Sequence, residues 1–144
     1  MPTTDLKIDY RGISIGNYKV NGVNADSALP PDQLFKDHAI AIPTSLLKDQ
    51  EKNVLTLHIL NKYRRDGVGL HSFVDKVDSQ QYTYTQFEAD FCHYVFPCFD
   101  QPDLKATWSF SAITDGDWQV ISNEAHVEDE DRLKLLEQET AEAA

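Results

Sequence analysis

Apolar and polar positions alternate with a period of two along most of this chain, the pattern of short strands with one drier and one wetter face. Leu6, Ile8 and Tyr10 share one such face, Gly12 permits a bulge, and Ile13 and Ile15 take over on the opposite parity. Asn21-Gly22 sits between apolar neighbours, a strong short-range hairpin signal. Asn24 to Asp37 reads as a polar connection with adjacent prolines at Pro30 and Pro31. His38 to Ile42 follows as a short strand with Ile40 and Ile42 on one side, and Pro43-Thr44-Ser45 starts a helical turn through Leu46 and Leu47. Asn53 to Tyr63 is the strongest strand. Leu55, Leu57 and Ile59 face one way, Val54 and Leu60 make the other face partly apolar, and the pattern predicts a central strand wet on neither side. Arg64-Arg65-Asp66-Gly67 turns the chain. Gly69 to Asp78 reads as a strand or an ordered loop, with Leu70, Phe73 and Val77 available for packing.

The stretch from Tyr82 to Trp108 says most. Tyr82 and Tyr84 alternate with Thr83 and Thr85 in a strand that ends in Gln86 and Glu88, two apart and on one side. Pro97 and Pro102 exclude a helix or a central strand between them, so Phe96 to Pro102 is a fixed turn with aromatic rings around it. Trp108, Phe110 and Ala112 then alternate with Thr107, Ser109 and Ser111 as a further half-buried strand. By pattern alone this stretch is a rigid strand, loop, strand corner with no chemistry. Past Asn123 the residues are helix formers without Gly or Pro, and Glu128 with Arg132 and Glu130 with Lys134 are i,i+4 pairs in the favourable order. Leu133 and Leu136 give that tail a narrow apolar stripe, which suits either a solvated helix or a short helix docked on a partner. The sum is a mainly β chain of about eight short strands with one acidic C-terminal helix.

Composition narrows the classes. The 144 residues have room for one domain and a modest core. The net charge of −11 argues against a nucleic-acid or anionic-membrane surface, both of which need a positive face. From Glu124 to Ala144 there are eight acidic and two basic residues, so this tail carries over half of the net charge. Cys92 and Cys98 fit no common metal spacing and make a poor disulfide framework, which reads as two reduced thiols and an intracellular address. The N-terminus has no signal-peptide core, and no stretch approaches the roughly 20 apolar residues of a membrane span.

The segment Thr85-Gln86-Phe87-Glu88-Ala89, six further residues, and then Phe96-Pro-Cys-Phe-Asp-Gln-Pro-Asp-Leu-Lys-Ala-Thr-Trp108 resembles the first domain of the aminopeptidase N family of zinc metallopeptidases. That family has Thr-Gln-x-Glu, a Phe-Pro-Cys-x-Asp-x-Pro turn, and Lys-Ala-Thr-aromatic. The likeness is close from Thr85 to Trp108 and looser to Asn123. It implies a saddle-like or sandwich assembly of antiparallel sheets over residues 1–123, a partial first domain with further strands expected upstream and beyond; the acidic helical tail at 124–144 rests on the residue pattern alone. It also implies roles for two side chains: Glu88 anchors the free amino terminus of a substrate through charge-assisted hydrogen bonds, and Gln86 lines the pocket for its first side chain. Without the rest of an enzyme, both also read as a strand-end pair bonded to a neighbouring loop.

The catalytic machinery that the resemblance implies is missing. None of His38, His58, His71, His93 and His126 is followed by Glu, no two are four apart, and the Gly-x-Met-Glu-Asn loop is absent because Met1 is the only methionine. The chain therefore needs no cofactor itself, and zinc belongs only to a catalytic domain elsewhere. The family's arginines before the turn are replaced by Cys92-His93-Tyr94-Val95, which removes a basic residue from the corner and leaves His93 without a visible partner. Two functions remain. One is a non-catalytic accessory or structural subunit, with a protein partner over its open sheet edges and docking its acidic tail; Met1 and the charge-paired end suit a complete small protein. The other is a fragment of an active zinc aminopeptidase that contributes Gln86 and Glu88 to the substrate cleft. A stand-alone peptide-binding module is a weaker third.

Overall fold

The computed structural model describes residues 6–126 and Lys134, and it divides the chain into two units, one ending at Lys105 and one beginning at Ala106. In the first unit eight short strands form three antiparallel sheets, so the mainly β expectation is met. Strands β1 (Leu6–Asp9), β4 (Phe35–Lys36) and β5 (Ala39–Ile42) make one sheet in the order β1-β5-β4. Strands β2 (Ser14–Val20), β3 (Val23–Asn24) and β6 (Leu55–Leu60) make a second in the order β3-β2-β6. Strands β7 (Gly69–Val74) and β8 (Gln81–Gln86) pair as a separate hairpin.

The core lies between the first two sheets. Tyr10, Tyr18, Val20, Ala25, Leu34, Ile40 and Ile42 are buried there, with Ile8, Ile15, Leu55, Leu57 and Ile59 packed partly against them. The Tyr18 hydroxyl of one sheet donates to the Ala41 carbonyl of the other at 3.1 Å. The connection from β3 to β5 supplies Ala25 from a single 3-10 turn and Leu34 from a one-turn helix, α1 (Pro31–Leu34), which starts on a proline whose missing N–H is not needed there. The turn expected after Pro43 is a 3-10 turn at Thr44–Leu46.

Several expectations are corrected. Strand β6 is not central: among the described residues it pairs only with β2, and half-buried and exposed positions alternate along it. Val54 and Leu60 are the exposed ones, so their apolar character does not signal a second packed face. The irregularity in β2 falls between Gly16 and Lys19 rather than at Gly12. Val77 is 95% exposed and packs on nothing in the hairpin. The strand expected around Trp108 and Phe110 is absent: residues 106–126 hold no regular element, with a turn closed by the Trp118 N–H on the Asp115 carbonyl. The acidic C-terminal helix lies outside the described residues, except for Lys134. No helix among the described residues is long and apolar enough to cross a membrane.

Candidate functional site

Gln86 is the last residue of β8, opposite Gly69 at the start of β7. That end of the hairpin lies under a compact corner formed by Phe91 to Pro97. A Cβ at Gly69 would stand 3.0 Å from the Tyr94 Cβ and 3.1 Å from the Arg64 Cδ, and Gly69 has φ of 64°, so only glycine lets the corner approach this closely. The β8 strand then breaks into a turn at Glu88–Asp90, in which the Glu88–Ala89 peptide is cis and the Phe91 N–H donates to the Phe87 carbonyl at 2.8 Å.

The structure brings Gln86 and Glu88 together. The Gln86 Oε1 accepts the Glu88 N–H at 2.7 Å, which fixes the turn to the strand end. Both residues are exposed, and among the described residues the Glu88 carboxylate has no hydrogen-bond or ion-pair partner. The bond is thus local, between the two residues themselves, and not to a neighbouring loop.

Rings and cations hold the corner in place. Phe87 meets Phe96 edge to face at 6.0 Å, and Phe91 meets Tyr94 at 5.7 Å. The Arg64 guanidinium lies 4.2 Å from the Tyr94 ring centre and that of Arg11 5.1 Å, with Arg11 Nη1 donating to the Tyr94 hydroxyl at 2.6 Å. Arg64 also pairs with Asp66, whose carboxyl is held below its usual range chiefly by that hydrogen bond. The corner therefore does not lack basic residues: Arg11 and Arg64 arrive from distant parts of the chain, where no local motif could announce them. His93 has a partner as well. Its Nδ1 lies 2.6 Å from the Asp100 Oδ2, and the same oxygen accepts the His93 backbone N–H at 3.0 Å. The pair is largely buried and ties the 3-10 turn Cys92–Tyr94 to the Phe-Pro-Cys turn.

Among the described residues no group of three His, Cys, Asp or Glu side chains is placed to hold a metal ion. The sequence also lacks HExxH, so the described residues offer no such zinc site.

The model of the peptidase M1 N-terminal domain family matches residues 1–140. Among curated proteins the chain is 39% identical over 126 residues to an aminopeptidase N of Streptomyces lividans, covering 88% of this chain and 14% of that protein. It is 30% identical over 106 residues to an aminopeptidase N of Lactobacillus helveticus, covering 72% of this chain and 12% of that one. An alanine/arginine aminopeptidase of Saccharomyces cerevisiae is 26% identical over 124 residues, 82% of this chain and 14% of the yeast protein. No solved structure matches. The chain thus spans only about one seventh of these relatives' length, and by the family match over nearly all of its residues it belongs to the peptidase M1 N-terminal domains.

Proposed function

We propose that this chain is a non-catalytic substrate-anchoring module, which works only against a zinc-bearing body that it does not itself contain. The observation that carries this reading is the Glu88 carboxylate: exposed, without a partner among the described residues, and set on a turn that Gln86 fixes. A carboxylate so placed is ready to accept hydrogen bonds from a substrate's terminal ammonium, and Gln86 beside it to border the first side chain. In open water such an ion pair adds little, so the anchor needs walls from elsewhere before it holds a peptide. The names of the relatives, aminopeptidases all, support the substrate class. Zinc would then be a cofactor of the zinc-bearing body alone.

The test is a segment exchange, in which this chain replaces the matching 126 residues of the Streptomyces lividans aminopeptidase N. Hydrolysis of an amino-acid amide is expected to survive in the exchange and to fall about 100-fold or more in kcat/KM on Glu88→Ala, a loss of about 2.7 kcal/mol of transition-state stabilisation. Zinc content serves as the control for an intact catalytic body. A zinc-loaded exchange protein indifferent to Glu88→Ala overturns the anchor. The isolated chain with added zinc is expected to show no turnover, and turnover abolished by the same substitution would overturn the non-catalytic reading.

The edge of β6 that is unpaired among the described residues, and the exposed Val54 and Leu60, favour a second reading, an accessory subunit whose protein partner covers that edge and docks the acidic tail. Native mass of the endogenous protein separates the two. Migration of the 16.4 kDa chain as a separate polypeptide within a larger complex supports the subunit, whereas its appearance only inside a longer polypeptide supports the substrate module.

A further inference from the structure

Asn21 and Gly22 form the tip of the β2–β3 hairpin, and the asparagine is held more firmly than a turn requires. Its side-chain Nδ2 donates to the Leu46 carbonyl and to the Asn53 Oδ1, each at 2.8 Å, while its Oδ1 accepts the Val54 N–H at 3.0 Å. Asn53 is itself fixed: its Oδ1 accepts the Lys48 N–H at 2.8 Å, and its Nδ2 donates to the Lys48 and Glu51 carbonyls at 3.0 and 3.1 Å. It therefore cannot turn its amide round to suit a different neighbour. One half-buried side chain thus joins the hairpin, the 3-10 turn Thr44–Leu46 and the entry to β6. Beside it Gly22 is exposed, with nothing within 4 Å of where a Cβ would stand.

We propose that Asn21 is a deamidation site that the fold keeps closed, and that its conversion records opening of this hairpin irreversibly. Glycine has no side chain to keep its nitrogen away from the preceding asparagine. The Gly22 nitrogen attacks the Asn21 Cγ, the new N–C bond closes a succinimide ring, and the Cγ–Nδ2 bond breaks. Ammonia leaves with the proton that the Gly22 nitrogen gives up. Water then adds to one of the two ring carbonyls, giving either aspartate or isoaspartate. Attack requires the Asn21 amide to swing towards Gly22, which breaks all three of its side-chain hydrogen bonds, so only opened molecules react. The product does not latch again. A carboxylate has no hydrogen to offer the Leu46 carbonyl or the Asn53 Oδ1, and three oxygens would crowd together. Isoaspartate also lengthens the main chain by a methylene between the paired Val20 and Val23.

The experiment incubates the full chain at mildly alkaline pH, folded in buffer and unfolded in guanidinium chloride, and quenches with acid. The tryptic peptide 20–36 is then weighed and fragmented to find where an amide has become an acid. Conversion at Asn21 is expected to be at least about tenfold slower in the folded chain. Asn53→Ala, which removes one acceptor of the Asn21 amide, should speed the folded-state reaction about fivefold while circular dichroism shows the variant still folded. If that variant does not fold, the two rates of the parent chain decide. Asn21→Asp should unfold at a lower denaturant concentration than the parent. Equal rates in the folded and unfolded chain, a folded Asn53→Ala that reacts no faster, or an Asn21→Asp chain as stable as the parent would each overturn the proposal.

Discussion

At the scale of the residue, Tyr10 carries more than its place at the end of a four-residue strand suggests. It is fully buried, and its hydroxyl lies 3.1 Å from the Leu60 carbonyl oxygen and 3.0 Å from the Asn61 Oδ1. Tyr10→Phe should lower unfolding stability by about 1 kcal/mol in urea titrations. Gly12→Ala should do worse, about 1–3 kcal/mol, because an added Cβ would stand 2.0 Å from that same hydroxyl. Glu88→Ala should move stability by less than about 0.5 kcal/mol, since its exposed carboxylate holds no partner among the described residues. Tyr18 predicts a pH effect. Burial pushes its hydroxyl from 10.0 up to about 12, so between those values the unfolded chain has lost the proton that the folded chain keeps. Stability is therefore complete below pH 10 and declines as pH rises towards 12, and Tyr18→Phe should flatten that decline in alkaline denaturation curves.

At the scale of the element, the two tight hairpins show what the sequence can and cannot reveal. Asn21-Gly22 is legible because its residue types tolerate the left-handed backbone that the turn requires, with φ of 52° and 82°. Asn21 also latches the turn, donating to the Leu46 carbonyl and to Asn53 Oδ1 at 2.8 Å and accepting the Val54 N–H at 3.0 Å. Gly22→Ala meets open space, so its loss of about 1 kcal/mol should be purely backbone strain, and measured stability should show that and no more. The turn between β4 and β5 has the same left-handed pair at Asp37 and His38, φ 54° and 62°, but no glycine to give it away. The reading of the sequence therefore passes over it, ending a polar connection at Asp37 and starting a strand at His38, where the structure starts β5 at Ala39. The motif that marks Gln86 and Glu88 was legible residue by residue. Their mutual hydrogen bond, the service of Arg11 and Arg64 to Tyr94, and the pairing of His93 with Asp100 were not, because each depends on how the chain returns to itself. Strand β6 misled for a related reason: apolar residues on both faces measure hydrophobicity, while centrality depends on neighbours.

At the scale of the whole molecule, the division at Lys105 should be visible to a protease. Limited trypsin digestion is expected to cut first at the exposed Lys105–Ala106 bond and to leave the sheets of the first unit intact, as read by mass. Early cleavage at Lys19 or Lys36, both within strands, would contradict that division. The first unit is also closed by contacts between its ends. Asp9 and Cys98 exchange both amide hydrogen bonds across nearly its full length, while β1 waits for β5 and β2 for β6. Time enters the description here. During synthesis, β1 leaves the ribosome long before the turn that fastens it exists, and its last tie cannot form until Cys98 has emerged. Refolding should accordingly be slow for a chain of this size, on the order of milliseconds to seconds, because distant segments must find each other before either is rewarded.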